Sequence, residues 1–198
     1  MPASSKKGTR TPEAIPSRSA TLPKAWGHFC TITQHKLLVG KLCFEAGLYW
    51  QGITHDLSKY SPTEFMVGAR YFQGDRSPNV AEREDTGVST SWLHHKGRNK
   101  HHFEYWMDCA SREDITFVGK PMPVRYVVEM TCDRIAACRV YQKERYTQSS
   151  ALEYFLAQPT YNQLMHPQTA KLLEEMLRIV AQDGEREGLH RIHREYLR

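Results

Sequence analysis

Residues 25–49, AWGHFCTITQHKLLVGKLCFEAGLY, contain no proline and set Phe29, Ile32, Leu37, Val39, Leu42 and Phe44 at mixed three- and four-residue spacing. That is the period of a helix and not of a strand. A run of this length reads as a long buried helix, with His28 and His35 seven residues apart on one face. A second such stretch, VRYVVEMTCDRIAACRVYQKERY at 124–146, follows Pro121 and Pro123 and carries Asp133 among its apolar positions. With two such helices and no run of alternating apolar and polar residues, the fold class is all-α, a helical bundle.

The segments between them fit that class. Ser61-Pro62-Thr63-Glu64 opens a helix with Ser at the N-cap, Pro at N1 and Glu at N3, expected to run to about residue 71. Residues 73–87, QGDRSPNVAEREDTG, lack an apolar period and read as a long surface loop, the kind that often serves as a lid. Residues 88–96 read as a short helix stopped by Gly97. Asn99 then caps a helix through residue 107, with His101 and His102 in its first turn. Residues 111–120 read as a loop, and 150–158, 167–182 and 185–198 as three more helices.

At 198 residues, with 40% hydrophobic and 25% charged side chains, the chain is expected to form one domain with a sizeable core. That composition excludes both a disordered chain and a disulfide mini-protein. No apolar stretch approaches a bilayer span and the first residues lack the apolar core of a signal peptide, so the expectation is a cytoplasmic protein without a membrane partner. Residues 1–24 hold Lys6, Lys7, Arg10, Arg18 and Lys24 against Glu13 alone, which is +4 of the net +5. They read as a disordered basic tail before a domain at 25–198. The rest is nearly neutral and offers no basic stripe, so direct nucleic-acid binding is not expected. The five cysteines form no C-x-x-C pair and read as reduced core residues.

Polar residues set where a core prefers apolar ones point to the chemistry. His35 lies deep in the first helix, His55-Asp56 follows it, and Asp133 lies deep in the later helix. A buried carboxylate needs a partner or a metal, and imidazole nitrogens with carboxylate oxygens suit a divalent ion such as Mn, Fe, Co, Ni or Zn. Four of the ten histidines fall in one stretch, HHKGRNKHH, as His94, His95, His101 and His102. At a helix N-terminus the dipole would hold the last two neutral and able to ligate.

The order His, His-Asp, Asp on successive helices resembles the HD-domain metal-dependent phosphohydrolase superfamily. Members with two or three metals add a His and then a His-His pair before the final Asp, and His95 and His101-His102 stand in that order. Only His95, not His94, has the spacing to Asn99. Lys59 in HDLSK is similar to the HD-x-x-K pattern of several such families. HDLSKYSPTEF, H-x-x-x-N-x-H-H and EMTCDRIA together resemble an uncharacterised bacterial and phage family of unknown function, over nearly all of residues 25–180. The HD-x-x-E pattern of small nucleoside-monophosphate phosphatases is absent, as is the cyclic-dinucleotide phosphodiesterase signature after the paired histidines, so neither substrate carries over.

The resemblance implies one or two ions. The first would be held by His35, His55, Asp56 and Asp133, and Asp56 would bridge to a second held by His95 with His101 and His102. The implied activity is hydrolysis of a phosphomonoester or phosphodiester, on a small phosphorylated substrate such as a nucleotide. Lys59 would bind phosphate and Glu64 would serve as an acid/base group or hold metal water, while Arg98, with Arg70 or Arg76, would add phosphate contacts. Two rivals share the residues: a di-iron oxygenase of the HD type, and a non-catalytic module in which metal staples helices.

Overall fold

A computed structural model describes residues 19–197. Ten helices and one two-stranded hairpin make up the described residues, in keeping with the all-α reading. Residues 1–18, most of the segment read as a tail, lie outside them. The remainder of that segment joins the first helix, α1 (Leu22–Glu45), which has Pro23 in its first turn.

α1 is the wall shared by the two halves of the molecule. On one side it packs against α6 (Val124–Gln142), and α9 (Pro167–Asp183) and α10 (Glu185–Tyr196) close that half as an antiparallel pair. Val39, Leu42 and Cys43 of α1 meet Val127, Val128 and Ile135 of α6 and Leu173, Met176 and Leu177 of α9, all buried. On the other side α1 carries α2 (Tyr49–Thr54) and α3 (Pro62–Tyr71), and α3 carries α4 (Pro78–Thr86) and α5 (Thr90–Lys96). α7 (Ser150–Leu156) and α8 (Pro159–Asn162) link α6 to α9. No helix among the described residues is long and apolar enough to cross a membrane.

The structure departs from the sequence reading in four places. The stretch 73–87 is a loop only at its start, and from Pro78 it is α4, ended by Gly87 at φ 79°. Its apolar period is missing because its inward residues are Ala81 and Glu82, and Glu82 is buried by accepting hydrogen bonds from Ser89, Thr90 and Ser91. Residues 107–119 hold a hairpin, β1 (Met107–Cys109) antiparallel to β2 (Phe117–Gly119), with strands too short for alternation to show. Asn99 begins a turn, and helical geometry starts only at the 3-10 segment Phe103–Trp106, so His101 and His102 precede it. In α1, Ile32, Val39 and Leu42 are buried as expected, whereas Phe29, Leu37 and Phe44 face outward.

Candidate metal centre

Five segments deliver the polar side chains. His35 comes from the buried face of α1, Glu129 and Asp133 lie one turn apart on α6, and His95 ends α5. His101 and His102 come from the turn that follows α5. His55 and Asp56 occupy the corner after α2, where Asp56 is left-handed at φ 54° and ψ 24°. Neighbours on a regular helix diverge by about 100°, and the corner instead sends both side chains inward. Aspartate accepts this backbone more readily than most residues with a Cβ.

Asp56 lies at the middle, buried, with its two oxygens facing different partners. Oδ2 is 3.6 Å from His35 Nε2 and 3.3 Å from His55 Nε2, while Oδ1 is 3.3 Å from His95 Nε2 and 3.4 Å from His101 Nε2. Asp133 Oδ1 completes the first set, 2.9 Å from His35 Nε2 and 3.5 Å from His55 Nε2. His102 Nε2 completes the second, 2.9 Å from His95 Nε2. Within each set of four, the donor atoms all lie within 4.8 Å of one another. Close as they are, Nε2 of His35, His55 and His101 make no hydrogen bond, and Asp56 makes none either, though its Oδ2 has the Lys59 ammonium 2.6 Å away. Lys59 offsets the desolvation cost at Asp56 Oδ2, and a cation in each of the two small volumes would offset it at the remaining atoms.

A second ring of contacts turns the imidazoles. His55 donates Nδ1–H to Glu129 Oε1 at 3.0 Å, and His101 Nδ1 lies 3.1 Å from the same oxygen. His94 and His95 donate Nδ1–H to the two oxygens of Glu64, at 2.6 and 2.8 Å. A carboxylate only accepts, so each proton sits on Nδ1, and in the neutral ring Nε2 is left as a lone-pair donor. Glu64 is buried, and its side chain serves these rings rather than the α3 N-terminus, where Ser61 makes no capping bond. Asn99 supports the same ring, donating to Ser58 Oγ and to the His95 carbonyl at 2.9 Å each. His94 touches Glu64 but belongs to neither set.

Charge tells the same story. Asp56, Glu64, Glu129 and Asp133 crowd together, and the lysine among them, Lys59, sits with Nζ 2.6 Å from Asp56 Oδ2. Burial works against all four carboxylates, but His55, Lys59 and His95 hold Asp56 well below the usual range, and His35 and His55 do the same for Asp133. Glu64 is lowered by His95 and His94, and Glu129 by His101 and His55, again against burial. Burial and the neighbouring His55 press His101 down, yet Asp56 and Glu129 outweigh them and raise it to about 9. His102, buried beside His101 and His95, is pushed well below its ordinary value and stays neutral. So the helix dipole is not what sets these two residues apart: Asp56 and Glu129 act on His101, and burial with the neighbouring imidazoles acts on His102.

The centre opens into a cavity of about 500 Å³, with His35, Lys59, His95, His102 and Asp133 at its base. Arg76 and Arg134 reach its wall with a set of aromatic rings, and Arg76 is held by Glu84 at 2.9 Å. Arg70 and Arg98 do not line it. Arg98 opens instead onto a cleft of about 370 Å³ behind Glu129. The remaining histidines are structural: His28 packs between Phe65 and Phe72, His166 caps α9, His190 bonds Glu45, and His193 bonds the Ala46 carbonyl. Glu129 is the residue the sequence reading missed; its signal is its place four before Asp133, on the same helical face.

The profile of a family of unknown function (DUF5662) matches residues 24–179. This chain belongs to that family. No curated protein and no solved structure matches it. In this DUF5662 protein both four-residue sets and the two carboxylates that turn them lie inside the matched span, whereas α10 lies beyond it.

Proposed function

We propose that this DUF5662 protein is a metal-dependent phosphohydrolase with a centre of the HD type. The observation that carries the reading is Asp56, one buried carboxylate whose two oxygens face two separate sets of ring nitrogens beside a cavity, with Nε2 of His35, His55 and His101 buried without a hydrogen bond. His35, His55, Asp56 and Asp133 would hold one divalent ion, and Asp56, His95, His101 and His102 a second, of the Mn, Fe, Co, Ni or Zn type. Such ions supply Lewis acidity and a water activated near neutral pH. The chain's own residues do the rest. Lys59, a fixed cation at the cavity base, attracts and orients the phosphoryl group of a small phosphorylated substrate. Glu64 and Glu129 keep the imidazoles turned, and the aromatic wall limits bulk water. Hydrolysis adds water across one P–O bond, and the ester oxygen leaves with a proton.

A helix staple would need no open volume beside it, so the adjoining cavity favours catalysis over a non-catalytic role. The test is elemental analysis of the purified protein joined to phosphate release from a panel of nucleotides and simple esters with Mn or Co added. Bound metal with turnover that Asp56→Ala abolishes is the expected result. A metal-free, inactive wild type would end the proposal, and iron with oxygen-dependent colour change and no phosphate release would replace it with the oxygenase.

A further inference from the structure

We propose that the outer face of α1 pairs with the same face of a second copy of this chain. Opposite the side of α1 that buries His28, Ile32, His35 and Val39, a stripe of large apolar residues meets water. Trp26 is 67% exposed and Leu37 68%, with Leu22, Phe29 and Phe44 on the same line at helical spacing. Trp26 and Phe29 stack on each other at 5.7 Å, which organises the stripe but does not cover it.

α2 widens the face. It lies so close to α1 that a Cβ on Gly40 would stand 3.3 Å from the Gly52 carbonyl oxygen, and Phe44 meets Tyr49 edge-on at 5.5 Å. Tyr49, 63% exposed, and Ile53, 56% exposed, therefore extend the stripe sideways. Side chains of this size and exposure present on the order of 1,000 Å² of largely apolar surface. The largest patch on an ordinary monomer is roughly 300–600 Å², and a standard interface takes about 800 Å² from each partner. The area is thus that of an interface.

Shape and charge choose the occupant. The face is a ridge of α1 with α2 beside it and not a groove for a peptide, and a like face laid antiparallel against it makes a two-fold contact. Lys36 is drawn away, donating to the carbonyls of Ile53 and His55 at 2.6 and 2.9 Å. Glu45 is taken by His190 at 2.8 Å. The exposed lysine of α1 is Lys41. A pairing centred near Gln34 sets each Lys41 beside the Trp26–Phe29 stack of the other copy and keeps the two lysines apart.

Sedimentation equilibrium of the full chain over roughly 1–100 µM tests this, and the expected mass is twice 23.0 kDa. Leu37→Glu is expected to weaken association at least about 100-fold while helical circular dichroism is retained. Ile115→Glu, at a residue 79% exposed in the hairpin loop, leaves it unchanged. If Leu37→Glu loses its helical signal, the uncharged double variant W26A/L37A takes its place with the same expectation. A wild type at 23.0 kDa throughout, or association that neither variant weakens, overturns the dimer. So does a chain that associates only after residues 1–18 are removed, because the first segment would then be the cover.

Discussion

His101 and His102 are adjacent in sequence and both enter the second donor set, which makes the pair a sharp test. Changing both to alanine is expected to lower metal content without emptying the centre, to retain the fold, and to cut phosphate release by at least about 100-fold, near 2.7 kcal/mol of barrier. Full metal content with full activity in that variant would leave only the His35, His55, Asp56 and Asp133 set. Glu129 and Glu64 separate by reach. Glu129 turns one ring from each set, so Glu129→Gln is expected to weaken both ions, each by about 10–100-fold. Glu64 turns only His95 within the sets, so Glu64→Gln weakens one; chelator competition reads both. His28 gives a pH prediction. Burial, with Lys59 nearby, lowers it from 6.5 to about 4, so between those values the unfolded chain binds more protons. Stability therefore falls as pH drops from 6.5 toward 4 and levels below, by on the order of 3 kcal/mol in all. Denaturant unfolding of His28→Leu should lack that part of the slope. The members of both clustered sets are legible in the sequence: His35 and Asp133 stand out as polar groups on apolar helices, whereas His95, His101 and His102 are picked out by the His-rich stretch and the resemblance. Glu129 is not, because a glutamate in a helix's first half is ordinary until its neighbours in space are known.

Helix ends marked by proline and glycine are legible in the sequence: Pro62 opens α3 and Gly97 stops α5. Elements whose stabilising contacts come from elsewhere in the chain are not. α4 buries a carboxylate instead of an apolar stripe, and the hairpin closes with Gly119 against the backbone of Leu164 and His166. Periodicity also could not say which of two apolar faces of α1 is inside, since either would satisfy the pattern. The α9–α10 pair offers an element-level test. A Cβ on Gly188 would stand 2.9 Å from Val180 Cα and 3.3 Å from the Ile179 carbonyl oxygen, and backbone yields little. Gly188→Ala gains about 1 kcal/mol in helix propensity, but overpacking of about 1–3 kcal/mol outweighs it. Thermal melting is expected to drop by roughly 2–6 °C, and Glu187→Ala, one residue away and exposed, should melt like wild type.

Across the whole molecule, α1 is both the wall between the halves and the carrier of His35, with the apolar stripe on its other side. The donors around Asp56 bear residue numbers from 35 to 133 and are drawn from both halves. Contacts that distant form late, because the chain must close long loops before any of them is rewarded. Helical signal, by contrast, is local and recovers early. The Asp56 junction therefore doubles as a clock for refolding. When denatured chain carrying His101→Ala and His102→Ala, which leaves the first set alone, is diluted into buffer containing Co(II), visible absorption of the bound ion should rise only in the slowest phase, after far-UV ellipticity has recovered. Colour that appears together with the helices would mean that one set of donors assembles within a single half.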